Sequence, residues 1–179
     1  MDEAAARAFR KAGAALSAVA VTGRMMEDNP VLPCLEAERA ALAKMVASRP
    51  VWFAAGIPEA EEAAVIQAHR MALQHSHRLL MILMPADPSR SATLAGQMEA
   101  AEGWVVAQRS LDEEPEPEVE VFIVDNAAEY GLWYRLAPVC YLGGSLTGKG
   151  PLRSPMAPAA LGSAGRPGPG TGGYGPLFG

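Results

Sequence analysis

The sequence predicts an α/β fold, a doubly wound parallel sheet with helices packed on both faces, and three observations carry that expectation. Short apolar runs alternate with amphipathic stretches of helical period along most of the chain. Several runs, RLLMILMP (Arg78 to Pro85) above all, are apolar on both faces, as strands covered by helices on each side must be. The repeating order of strand, helix, strand, helix is the pattern of parallel strands joined by helical crossovers.

Each element follows in chain order. VAVTG (Val19 to Gly23) is a short β-branched run, and after a Pro-flanked loop CLEAERAALAKMVAS sets Leu35, Ala41, Leu42, Met45 and Val46 near helical period. PVWFAAG reads as a buried strand. PEAEEAAVIQAHRMALQHS is a helix that opens with Pro58 and acids in its first turn, both favourable at the positive end of the helix dipole. After the strand RLLMILMP comes PSRSATLAGQMEAAEG, a helix ending at Gly103, where a left-handed cap is expected. WVVAQRS, VEVFIVD (Val119 to Asp125), the helix AAEYGLWYRLA and the strand PVCYLGGS complete the series. Between Asp112 and Glu120 the acid-rich DEEPEPEVE reads as a solvated loop. From Gly162 the composition turns to Gly and Pro, so the expected organisation is one α/β domain over residues 7–162 and a Gly/Pro-rich tail over 163–179.

The length of 179 residues, half of them apolar, suits one buried core and is too short for two full domains. A net charge of −5 argues against nonspecific nucleic-acid binding, which needs Lys and Arg to neutralise phosphates. No stretch approaches the ~20 apolar residues of a membrane-spanning helix, and the opening MDEAAARAFRKAG lacks the apolar segment of a signal peptide. As given, the piece is expected to be soluble. Cys34 and Cys140 lie far apart, and the apolar run around Cys140 suits a buried, inert thiol.

Gly143 to Gly150 spells GGSLTGKG, close to a triphosphate-binding loop. Gly150 stands where the loop needs a Ser or Thr for magnesium, and Pro151, Pro155 and Pro158 obstruct the helix that should face the phosphates. What survives is more general: a strand ending in Gly143-Gly144-Ser145 lets backbone approach a ligand at the C-terminal sheet edge, where open α/β sheets bind ligands. His75 and His77 are two residues apart at a helix end and cannot share a face, and His69 stands alone in its helix, so no metal is implied. No cofactor is implied either. Asp125 at a strand end and Glu129 at a helix start suit ligand contacts and ordinary caps equally.

Four stretches, in order, resemble the C-terminal, donor-binding half of the 3-deoxy-D-manno-octulosonic acid (Kdo) transferases, GT-B-type glycosyltransferases. RPVWFAAGIPEAEE is similar to that family's RPVWLAAS-x-H-x-GEE, LLMILMPADPSR to LLLILVPRHPER, IVDNAAEYGLWYRLAPVCYLGGSL to LGDTMGELGLLYALADVAFVGGSL, and SPMAPAALGSA to NPLEPAALG. The resemblance implies a Rossmann-like domain that binds CMP-Kdo as donor, and a separate N-terminal domain, absent here, that supplies the general-base carboxylate. That domain would also contact the membrane and receive a lipid A precursor at the cytoplasmic face of the bacterial inner membrane. No catalytic residue and no metal is expected in the present domain, which by itself should transfer nothing.

Carried over by position, the resemblance implies CMP-sugar contacts at Asp125, Glu129, Gly143, Gly144, Ser145, Arg90, Ser154 and Pro155. The departures are as specific. Ala86 and Asp87 stand in place of Arg-His, Ser154 in place of Asn, Ala157 in place of the glutamate of N-P-L-E-P, Gly56 and Pro58 in place of the Ser and His of A-A-S-x-H, and Pro167 in place of the histidine of H-G-P. A catalytically silent nucleotide-sugar-binding or interaction module of the same fold is the alternative expectation.

Overall fold

The computed structural model describes residues 3–20, 32–148 and 153–170. The chain divides into two units, Met1–Pro30 and Val31–Gly179. In the first unit, helix α1 (Glu3–Lys11) places Arg10 and Lys11 in its last turn, where cations complement the helix dipole. The expected strand at Val19 to Gly23 falls largely outside the described residues; Val19 and Ala20 are not in a strand.

The second unit is a six-stranded, wholly parallel sheet of β1 (Val51–Ile57), β2 (Leu80–Pro85), β3 (Val106–Gln108), β4 (Val121–Ile123), β5 (Val139–Leu142) and β6 (Ala164–Arg166), in the order β3-β4-β2-β1-β5-β6. Helix α2 (Glu36–Val46) leads into β1, and α3 (Glu59–Leu73), α4 (Ser91–Glu102), α5 (Tyr130–Leu136) and the short α6 (Met156–Ala160) lie between successive strands. The two-residue period of the strands sorts the core into two halves. Phe53, Leu80, Ile82, Met84 and Phe122 face Leu42, Val46, Trp133 and Tyr134. Ala54, Met81, Leu83, Val121 and Ile123 face Val65, Leu94, Met98 and Trp104. α4 ends as its sequence predicts: Gly103 adopts φ 71° and its amide bonds to the Glu99 carbonyl at 3.0 Å.

The Gly/Pro-rich stretch corrects one expectation. Residues 163–170 are not a tail, because Ala164, Gly165 and Arg166 pair with Val139, Cys140 and Tyr141. The Gly168 amide then donates to Ser145 Oγ at 2.7 Å and the Gly170 amide to the Ser145 carbonyl at 2.6 Å. An edge strand needs little side-chain pattern of its own when its neighbour supplies the ladder. Residues 171–179 lie outside the described residues.

The acid-rich loop is solvated but also fastened. The Arg49 guanidinium, buried beneath it, donates to the carbonyls of Arg78 (2.9 Å), Glu116 (3.1 Å), Pro117 (3.3 Å) and Val119. Glu113 and Glu120 accept from the Gln108 and Val105 amides, each at 2.7 Å.

His69, which shows no signal in the sequence, is fully buried. Trp52 Nε1 donates to its Nδ1 at 3.2 Å, so Nε2 carries the proton and donates to the Glu120 carbonyl at 3.1 Å, with Trp104 edge-on at 5.0 Å. Burial holds this imidazole neutral and pushes its pKa down to about 4. Between that value and the ordinary 6.5 the unfolded chain binds a proton that the folded chain refuses, so stability rises with pH across this window. We expect the domain to lose up to about 3 kcal/mol as pH falls from 6.5 to 4, and His69→Gln to remove that slope, as measured by urea unfolding at a series of pH values.

Candidate functional site

The strand order places a topological switch between β1 and β5. From β1 the chain leaves through α3 towards β2 on one side, and from β5 it leaves through α6 towards β6 on the other. The two connections diverge at the C-terminal edge and open the crevice in which doubly wound sheets bind ligands.

Two glycines shape its floor. Gly56 adopts φ 65° where the pairing of β1 with β2 shifts register, and Gly143 follows β5 with its amide bonded to the Ala55 carbonyl at 3.0 Å. A Cβ on Gly143 would stand far inside van der Waals contact of the Gly56 carbonyl. The pair therefore lets two strand ends touch at a point where any side chain would hold them apart.

The turn after β5 is held by a carboxylate from the first turn of α3. Glu61 is fully buried and accepts from the amides of Gly144 (3.0 Å), Leu146 (2.9 Å) and Thr147 (2.8 Å), and from the hydroxyls of Tyr141 (2.8 Å) and Thr147 (3.0 Å). Burial opposes its charge, but these donors outweigh burial and keep its carboxyl below the usual carboxylate range. The amides that a glycine-rich turn would offer to an anion are thus turned inward onto an anion of the protein itself. Ser145 is equally buried, its hydroxyl donating to the Leu142 carbonyl while it accepts from Gly168.

Above this floor lies Arg153. Its guanidinium carbon is 4.0 Å from the centre of the Tyr130 ring, and a Cβ on Gly56 would collide with its Nε. That Nε is buried without a hydrogen-bond partner, and Arg153 forms no ion pair among the described residues. Tyr130 is braced from behind by Tyr134, stacked at 5.7 Å, and by Phe53 at 5.9 Å. Burial pushes the Tyr130 phenol up to about 12, so it remains a hydroxyl donor. Ser154 caps α6, its Oγ accepting from the Met156 amide at 3.3 Å, and Pro155 stands at the N-cap of that helix.

Asp125 and Glu129 belong to a neighbouring groove of about 530 Å³, lined also by Arg109, Asp112, Glu113 and Asn126. Arg109 lies 5.5 Å over the Trp133 ring, donates to Glu129 at 3.0 and 3.2 Å, and pairs with Glu38. Glu129 and Tyr130 are consecutive, so one end of α5 serves both the groove and the crevice.

The sequence-predicted residues all fall at this edge of the sheet, but several are already engaged. Arg90 is gripped by both carboxylate oxygens of Glu62 at 2.7 Å, with Glu59 at 3.1 Å. Asp87 caps the turn before α4 by accepting from the Ser89 amide (3.0 Å) and hydroxyl (2.8 Å). Ala157 packs against the core. Residues 149–152 of the triphosphate-like stretch lie outside the described residues. Glu61, Tyr130 and Arg153 are the residues that sequence reasoning missed. Glu61 had a signal, an acid in the first turn of a helix, though that pattern ordinarily serves only the dipole. Arg153, a lone cation in a Pro-rich loop, had none. Replacing Glu61 by Ala leaves three loop amides without their acceptor, and urea denaturation should show a loss of at least about 3 kcal/mol.

No family model matches the chain. Individual relatives do. The chain is 30 % identical over 113 residues to the 3-deoxy-D-manno-octulosonic acid transferase of Haemophilus influenzae, a match covering 63 % of this chain and 26 % of that protein. It is 38 % identical over 104 residues to the Bordetella pertussis enzyme of the same name, covering 54 % and 23 %. A probable mitochondrial 3-deoxy-D-manno-octulosonic acid transferase of Arabidopsis thaliana is 29 % identical over 101 residues, covering 56 % and 22 %. The chain spans about a quarter of the length of these curated relatives. In fold it is similar to the crystal structure of the C-terminal CMP-Kdo binding domain of WaaA from Acinetobacter baumannii, with a TM-score of 0.70 at 24 % identity, over 79 % of this chain and 74 % of that one. Over the quarter of these relatives that it spans, the chain is similar in sequence to 3-deoxy-D-manno-octulosonic acid transferases.

Proposed function

We propose that this domain holds the CMP-Kdo donor of a Kdo transferase, with the nucleotide lying across the crevice between β1 and β5 and the head of α5. The observation that carries this reading is the topological switch point between β1 and β5 at the C-terminal sheet edge, in a chain related to these transferases. Asp125 and Glu129 offer carboxylate acceptors suited to ribose hydroxyls or the cytosine amino group. Gly143 and Gly144 contribute shape, and Ser145, Ser154 and Pro155 fix the loops that wall the crevice. Arg90, paired with Glu62, supports α3 against α4 and serves the site indirectly.

In the full-length protein an N-terminal domain would bring a lipid A precursor from the cytoplasmic face of the inner membrane. An acceptor hydroxyl would form the new bond to the anomeric carbon of Kdo and pass its proton to a base in that domain, while the bond from the anomeric carbon to the phosphate oxygen breaks and CMP leaves. The present domain would hold and orient the donor. None of its described helices is long and apolar enough to cross a membrane.

A domain that has lost donor binding is the second reading, favoured by the inward-facing amides of the turn after β5 and by the sequestered Arg90. Calorimetric titration of the chain with CMP separates the two. We expect saturable binding of CMP, weakened about 10-fold by Glu129→Gln, and no comparable heat with AMP. A folded chain that gives no heat with CMP decides for the second reading. Ala157→Glu, titrated in parallel, should not strengthen binding, because Ala157 packs against the core.

A further inference from the structure

We propose that Arg153 is the cation that receives the phosphate of the bound nucleotide, taking over from the family's Arg-His at the positions of Ala86 and Asp87. The inference rests on the donor-binding reading and adds to it the residue on which the anion sits. It begins with the problem those two positions pose. A nucleotide phosphate brought to this sheet edge needs a positive partner, yet Asp87 has the wrong sign, Arg90 is neutralised by Glu62 and Glu59, and Arg109 by Glu129 and Glu38. The turn amides are no substitute, since Glu61 occupies them.

Arg153 has the opposite character on each count. It sits at the crevice between the diverging ends of β1 and β5 and is without an acidic partner among the described residues. Its guanidinium carbon lies 4.0 Å from the centre of the Tyr130 ring, and its Nε is buried with no hydrogen-bond partner among the described residues. A planar donor held rigidly by stacking, with unused N–H groups, is suited to gripping phosphate oxygens. The Tyr130 hydroxyl lies close to the same position, within 2.8 Å of where a Gly56 Cβ would be.

The same geometry explains Gly56, which the family comparison marks as a departure from Ser. Any side chain at that position would occupy the place of the Arg153 Nε. The absence of a side chain at Gly56 and the placement of Arg153 therefore belong together: the glycine leaves the space and the arginine fills it.

The test is calorimetric titration of the 179-residue chain with CMP, cytidine and pyrophosphate, for the wild type, Arg153→Ala and Arg153→Gln. The Gln variant keeps a planar group over Tyr130 while removing the charge, and it serves if the Ala variant unfolds. We expect the wild type to prefer CMP to cytidine, and both variants to lose about 10- to 100-fold in CMP affinity while binding cytidine as before. Gly56→Ser should lose CMP affinity in the same direction. CMP binding that is unchanged in both Arg153 variants overturns the assignment of Arg153 and leaves donor binding standing. Pyrophosphate binding that depends on Arg153, without any CMP binding, supports the anion site and removes the nucleotide reading. A wild type that binds neither CMP nor pyrophosphate overturns both.

Discussion

The domain's ligand edge depends on a carboxylate that never meets solvent. Glu61 projects from the first turn of α3 into the turn after β5, and its five hydrogen bonds join residues 80 to 86 positions apart in sequence. An uncompensated carboxylate at that depth would cost several kcal/mol, so the turn must keep its amides aimed at Glu61 whenever the fold is intact. That single requirement fixes the path of the chain from Gly144 to Thr147, and through Ser145 it also fixes the return of residues 168–170. Crevice, turn and outermost strand are one mechanical unit.

The consequence for chemistry is a division of labour between backbone and side chains. In many α/β domains a glycine-rich turn is both the shape and the anion receptor. Here Gly56 and Gly143 supply the close approach of two strand ends, while the amides of the turn are spent on Glu61. Positive charge is scarce at this edge. Arg90 and Arg109 hold helices together through carboxylates on other elements, and both are stacked or forked into place.

How much of this was legible follows from the range of the interactions involved. The strands β1, β2 and β5 were readable because burial on both faces demands continuous apolar runs, which local sequence records directly. Gly103 was readable as a cap because its conformation is set by its own turn. β6 was not, since Ala164-Gly165-Arg166 has no pattern of its own and owes its extended form to β5. At the site, the sheet edge and its glycines were legible as positions. Their partners were not: Arg90 meets Glu62 across 28 residues and Glu61 meets Gly144 across 83, and neither pairing leaves a trace in spacing. His69 shows the same limit, its neutrality being imposed by Trp52, Trp104 and a carbonyl 51 residues away.

The sheet ends on both sides in strands of three residues, β3 and β6. Beyond β3 the chain bends through the left-handed Asp112, and beyond β6 it meets Pro167, which has no amide hydrogen to give. A second polypeptide laid along either border would find too little ladder to zip onto, and on one side a flank of negative charge. A sheet so apolar on both faces is the kind that could seed stacking between molecules during folding. Its clipped borders leave little free backbone for such pairing on either side.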